Sequence, residues 1–167
     1  MSQSGPEMLV LGSGRKLGRW RPEQSPRRTK RETAAALAGV PLFVDLPKRH
    51  LNRLAEQSDV LTFGEGDAIV REGDPGETLF VVLSGQGRVI RGDRKVGSVM
   101  PGDFFGELSA IDGGPRTASV TAETPVEVLR LFRRTLSKLL HDEPVVTLRL
   151  LDGIVRRIRQ VERANRR

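Results

Sequence analysis

The sequence predicts a mainly β protein with flanking helices: a sandwich or barrel of short antiparallel strands, followed by a C-terminal amphipathic helix. Three observations carry this expectation. Between Val60 and Phe132 seven short runs rich in β-branched residues recur, each bounded by glycine, proline or aspartate, and many short strands at regular spacing are the pattern of a sandwich or barrel. Gly92-Asp93 sits between two of these runs as a tight hairpin connection does. Past Pro144 the period changes, and Leu148, Leu151, Val155 and Ile158 recur at steps of 3, 4 and 3 among arginines, which marks one face of a helix.

Taken in order, residues 1–33 read as a flexible basic arm, because Gly5, Pro6, Gly12, Gly14, Gly18, Pro22 and Pro26 interrupt many charges and only residues 8–11 form an apolar patch. Its G-S-G-R-K stretch (12–16) lacks the spacing and the preceding strand of a phosphate loop. Lys30-Arg31-Glu32-Thr33 has the outline of a basophilic kinase site, a pattern common in such arms. From Pro47 a helix is expected to Gln57, since proline suits a first turn and Leu51, Leu54 and Ala55 follow at helical spacing. Strands are expected over 60–63, 68–71, 79–84, 88–91, 96–100, 119–122 and 126–132. A short helix over 134–141 should end near Pro144, ahead of the amphipathic helix. The expected organisation is therefore an arm (1–33), a β domain with N-terminal helices (34–133) and C-terminal lid or dimerisation helices (134–167).

A chain of 167 residues supports one domain with a real core plus tails. It has no cysteine, which excludes disulfides and thiolate chemistry, and two histidines, His50 and His141, are too few for a histidine-based metal site. No apolar run is long enough to span a membrane and the N-terminus lacks a signal-type apolar region, so a cytoplasmic protein without a membrane partner is expected. The net charge of +7 is uneven: residues 1–33 carry +5, residues 34–132 carry −4 and residues 133–167 carry +6. Basic ends attract nucleic acid through counterion release, but solvated arms account for them equally well, and nucleic acid is not the expected partner.

The chemistry concentrates in residues 105–118, F-G-E-L-S-A-I-D-G-G-P-R-T-A. Gly106 allows close approach of a ligand, and a helix over 105–111 would point its unpaired N–H groups at an anion. Glu107 is an acceptor suited to sugar hydroxyls, and Arg116, nine positions on and beyond the Gly113-Gly114-Pro115 turn, offers a planar fork to phosphate oxygens. The segment reads as a cradle for a phosphorylated ribose. No catalytic constellation accompanies it, and an enzyme is not expected.

These residues resemble the phosphate-binding cassette of the cyclic nucleotide-binding domain family, found in bacterial catabolite activators, cAMP-dependent kinase regulatory subunits and nucleotide-gated channels. The resemblance extends to P-L-F-V-D-L (41–46), R-E-G-D-P-G (71–76), L-F-V-V-L-S-G (79–85) and P-G-D-F-F-G-E (101–107), and leaves residues 1–38 uncovered. It implies an antiparallel β-roll of jelly-roll type and a site made of Phe105, Gly106, Glu107, Leu108, Ser109, Arg116 and Thr117. Within that site Glu107 would hold the ribose 2′-hydroxyl, Arg116 an exocyclic phosphate oxygen, and the Ser109 and Thr117 amides the remaining phosphate contacts. Leu108 would be the apolar hinge that relays occupancy to the C-terminal helix, and Ile154, Arg156 and Arg157 would cap the base. The implied ligand is a cyclic purine nucleotide, cAMP first and cGMP as the alternative because the Thr117 hydroxyl suits a guanine edge.

The implied output is a helix rearrangement acting on a separate effector protein, or a homodimer formed through the C-terminal helix. After Arg167 there is no room for the helix-turn-helix that catabolite activators carry, so a stand-alone sensor is expected. Two alternatives stand beside it: an interaction module that binds no nucleotide, and a truncated Crp/Fnr-type transcriptional regulator touching DNA through its basic ends.

Overall fold

In the structure, a computed structural model that describes residues 28–167, the elements run α1 (Lys30–Leu37), α2 (Lys48–Glu56), β1 (Asp59–Phe63), β2 (Ala68–Val70), β3 (Thr78–Ser84), β4 (Gly87–Arg91), β5 (Arg94–Val99), β6 (Phe104–Phe105), α3 (Glu107–Asp112), β7 (Ser119–Ala122), β8 (Val126–Phe132), α4 (Arg133–Asp142) and α5 (Pro144–Asn165). Two four-stranded antiparallel sheets face one another, in the orders β1-β8-β3-β6 and β2-β7-β4-β5. This is the expected β-roll. Strands β3 and β8 are apolar on both faces because they lie between two cores. Leu79, Val81, Leu129 and Leu131 point into a cluster with the helices, through Leu37, Phe43, Leu54, Leu136 and Val146. Their alternate neighbours Phe80, Val82, Val126 and Val128 point into a second cluster with Phe63, Phe105 and Val120. A strand buried on one face alone would alternate with polar residues.

All seven expected strands are present, and Gly92-Asp93 joins β4 to β5 with Arg91 opposite Arg94. Strand β6 is an addition, and it corrects the reading of Phe105 as the start of the cassette helix. Phe105 pairs with Phe80 and Phe104 with Val81. The helix starts instead at Glu107, after Gly106 takes a φ of +80° that stops the strand and that side-chained residues rarely adopt.

The arm expected over residues 1–33 also needs correcting at its end. Residues 30–33 are helical, and a capping box starts α1: the Glu32 N–H donates to the Thr29 hydroxyl at 3.2 Å while the Glu32 carboxylate accepts from the Thr29 N–H at 2.7 Å. Arg28 pairs with Glu127 at 2.6 Å, and Lys30 donates to the Ala55 and Ser58 carbonyls. Thr33, the acceptor of the kinase-like pattern, is buried. The remainder of the arm, including its phosphate-loop-like stretch, lies outside the described residues.

The Glu32 carboxyl is held below the usual carboxylate range, first by the Thr29 backbone N–H and then by its hydroxyl. A depressed folded value contributes stability that is present at neutral pH and is lost as pH falls through it. Thr29→Ala removes one side of the box and is expected to lower Tm by about 2–4 °C in thermal denaturation at pH 7, with Thr29→Ser close to wild type. An unchanged Tm in the alanine variant would show that tertiary contacts alone hold α1.

Candidate functional site

Arg116 reaches its position through the R-E-G-D-P-G segment. Its backbone N–H donates to the Asp74 carbonyl at 2.8 Å, its carbonyl accepts from the Gly73 N–H at 2.8 Å, and Pro75 bridges to Pro115. The side chain then turns inward and is buried. Nη1 donates to the Thr78 carbonyl at 2.8 Å and to the Gly106 carbonyl at 3.1 Å, and Nη2 donates to the Thr78 hydroxyl at 2.8 Å. The guanidinium also lies 5.6 Å from the centre of the Phe80 ring. Gly76 makes room for it, since a Cβ there would stand 2.2 Å from Nε. Of the five N–H donors of a guanidinium, three are engaged among the described residues. Burial holds the Arg116 pKa below its ordinary value, and the charge of Glu107 opposes that shift.

Glu107 opens α3 directly after the Gly106 carbonyl that Arg116 holds, and it is buried. Its Oε1 accepts from Arg157 Nη1 at 2.7 Å, while Oε2 accepts no hydrogen bond among the described residues. Arg157 comes from the long α5, donates its other Nη to the Phe104 carbonyl, and stacks 4.6 Å from the centre of the Phe104 ring. Helix α5 can lie this close because Gly153 faces the ring: a Cβ there would stand 2.5 Å from Phe104.

The other expected site residues divide. Ser109 is buried in α3, and its carbonyl accepts from the Gly113 N–H. Thr117 is exposed, with its carbonyl accepting from Arg91 Nε at 3.2 Å. The Phe105 side chain belongs to the core, stacked on Phe80 with centroids 5.1 Å apart. Leu108 is 44% exposed and lies outside both core clusters, so it is not packed as a buried hinge. Of the three residues expected over the base, Ile154 packs on the helical core, Arg156 pairs with Asp152, and Arg157 goes to Glu107.

Sequence reasoning missed Thr78 and Phe104 as parts of the site. Each contributes a backbone carbonyl, which no residue-type pattern reveals, beside the Thr78 hydroxyl and the Phe104 ring. Gly76 did carry a signal, as the last residue of R-E-G-D-P-G. A cavity of about 240 Å³ between α2 and α4 lies apart from this cluster, lined by His50, Arg53, Leu54, Lys138 and Leu139 among others. Among the described residues no group of histidine and carboxylate side chains could hold a metal ion, and no helix is long and apolar enough to cross a membrane.

A β-roll whose β6–α3 junction carries a buried carboxylate and a buried guanidinium defines a class of ligand-sensing domain. Residues 60–143 match the cyclic nucleotide-binding domain family, and the chain belongs to it. It is 34% identical over 123 residues to a cAMP-dependent protein kinase regulatory subunit of Hypocrea atroviridis, covering 74% of this chain and 25% of that protein. It is 33% identical over 129 residues to a CRP-like cAMP-activated global transcriptional regulator of Mycobacterium tuberculosis, covering 74% of this chain and 58% of the regulator. The structure of the Thermus thermophilus catabolite activator protein superposes with a TM-score of 0.66 at 31% identity, over 73% of this chain and 60% of that one. The chain thus spans less than two thirds of the length of each of these proteins. What it shares with them is the cyclic nucleotide-binding domain.

Proposed function

We propose that this domain binds a cyclic purine nucleotide, cAMP in preference to cGMP, as a regulatory signal in the cytoplasm. One observation carries the reading: Glu107 and Arg116 are both buried on either side of the Gly106 turn, yet each keeps hydrogen-bonding capacity that the described residues leave unused. Open lone pairs on a carboxylate and open N–H groups on a guanidinium, gathered at one turn, are what a ligand bearing both a hydroxyl and a phosphate needs. Phosphate oxygens suit the remaining donors of Arg116 together with the Ser109 and Thr117 amides, and a ribose 2′-hydroxyl suits Glu107 Oε2. Occupancy then shifts the population of α5 positions, and α5 carries the signal to a separate effector protein or to a second copy of the chain.

Helix α5 supports the second-copy output. It faces its own domain through Val146, Leu150 and Ile154, while Leu148, Leu151, Val155 and Ile158 are between 46% and 67% exposed on another face. A seam of this spacing pairs with a copy of itself.

Calorimetry with cAMP and cGMP tests the ligand. Saturable binding of cAMP is expected, with cGMP weaker, and no heat with either nucleotide on folded protein would leave the family fold without its ligand. A double cycle tests the sugar contact. With 2′-deoxy-cAMP and Glu107→Gln, the losses should be non-additive, because both remove the same hydrogen bond. Fully additive losses would put Glu107 elsewhere.

A further inference from the structure

Away from the cassette, a groove of about 310 Å³ opens between the end of α1 and the sheet. It is lined by Ala36, Val40 and Pro41 from α1 and the turn after it, by Val82 and Leu83 from β3, and by Pro101 ahead of β6. No charged side chain lines it among the described residues. An apolar hollow of this size suits a few apolar side chains.

The chain itself leads to this groove. Arg28, the first described residue, is tied to Glu127 at 2.6 Å, and Glu127 stands opposite Ser84 in the β3–β8 ladder, next in sequence to Leu83 of the groove. Residues 1–27 therefore join the fold close to the groove. They hold one apolar run, M-L-V-L (8–11), and residues 12–27 separate it from Arg28. A connection of that length spans at most about 55 Å, ample for a return to a groove beside the anchor. Charge favours the same return, since residues 1–33 carry +5 and residues 34–132 carry −4. A tether also supplies an effective concentration on the order of millimolar, so a contact too weak to form between separate molecules is populated within one.

We propose that the groove is the seat of the chain's own N-terminal segment: residues 8–11 dock on Val40, Val82 and Leu83 and tie the basic arm to the β domain. The inference is independent of the nucleotide reading, because neither Glu107 nor Arg116 lines the groove.

The lack of cysteine makes the position of the arm directly measurable. Ser13→Cys gives the full chain a single thiol, just past the apolar run, for a nitroxide spin label. In NMR spectra of the labelled chain the amide signals of Gly39, Leu83 and Gly102 should lose most of their intensity, while Gly92, at the tip of the β4–β5 hairpin, keeps its own. Leu9→Ser with Leu11→Ser keeps the charge of the arm and should restore the groove signals. Ala36→Lys, which puts a charge into the groove, should restore them from the other side of the contact.

Groove signals at full intensity in the labelled chain would overturn the proposal. Broadening that survives the two serine changes would overturn it as well, leaving charge alone to hold the arm. A mixture of labelled chain with unlabelled, isotope-enriched chain gives the remaining outcome: broadening there would assign the groove to a second copy rather than to the chain's own segment.

Discussion

Arg116→Ala is expected to weaken cAMP binding by about 10- to 150-fold, because a buried phosphate loses a charge-assisted partner worth roughly 1.5–3 kcal/mol. The same change is not silent in the fold. It empties the space beside Gly76 and removes three donors, leaving the Thr78 carbonyl and hydroxyl without them, while the Gly106 carbonyl keeps the Ala110 N–H at 3.1 Å. An unsatisfied acceptor costs up to about 1–3 kcal/mol when fully buried, and Thr78 is half-buried, so a modestly lower Tm should accompany the lost affinity. Arg116→Lys separates the two effects, since it keeps the positive charge for phosphate but cannot bridge Thr78 and Gly106 with one planar group. The lysine variant should therefore recover part of the binding and little of the stability. Titration calorimetry on protein shown to be folded by circular dichroism is the measurement. Affinity within a factor of two of wild type in Arg116→Ala would remove this residue from the phosphate site.

The combined change Leu151→Lys and Val155→Lys should convert a dimer to a monomer, with cAMP affinity kept within about twofold. Each helix would bring two charges to a seam of apolar side chains, and like charges facing across a two-fold contact are strongly unfavourable. Since neither residue is buried in its own domain, the substitutions leave Val146, Leu150 and Ile154 in place and should leave Tm of the monomer nearly unchanged. Light scattering reads the mass directly. A wild-type chain that stays monomeric at high concentration, with and without cAMP, would end the dimer proposal and leave α5 facing only the cassette and a different effector.

Much of this fold was legible before any coordinates because its determinants are local. The strands of both sheets announce themselves by β-branched runs between turn residues, and β3 and β8 by being apolar at every position that faces either core. What local reading missed is equally informative. Strand β6 has two residues and exists only because Phe104 and Phe105 pair with Val81 and Phe80. Two residues carry no period. The start of α1 was misread because its basic composition suggested an arm, whereas the Thr29–Glu32 capping box, an S/T-x-x-E pattern, was there to be read.

The sequence by itself determined the strand positions and the helical period of α5, since each follows from residue type and short spacing, and it singled out Glu107 and Arg116, which the fold buries. Tertiary structure decided what those groups touch. Arg116 finds Thr78 at a separation of 38 residues and Glu107 finds Arg157 at a separation of 50, contacts set by how β3 sits beside β6 and how α5 seats on Phe104. Only the packed chain could show which side of α5 meets its own domain and which stays open. A periodic stripe states that a helix has an apolar face, but burial goes to whichever side the domain can cover, and here Val146 and Leu150 took that place and left the Leu148–Ile158 stripe in solvent.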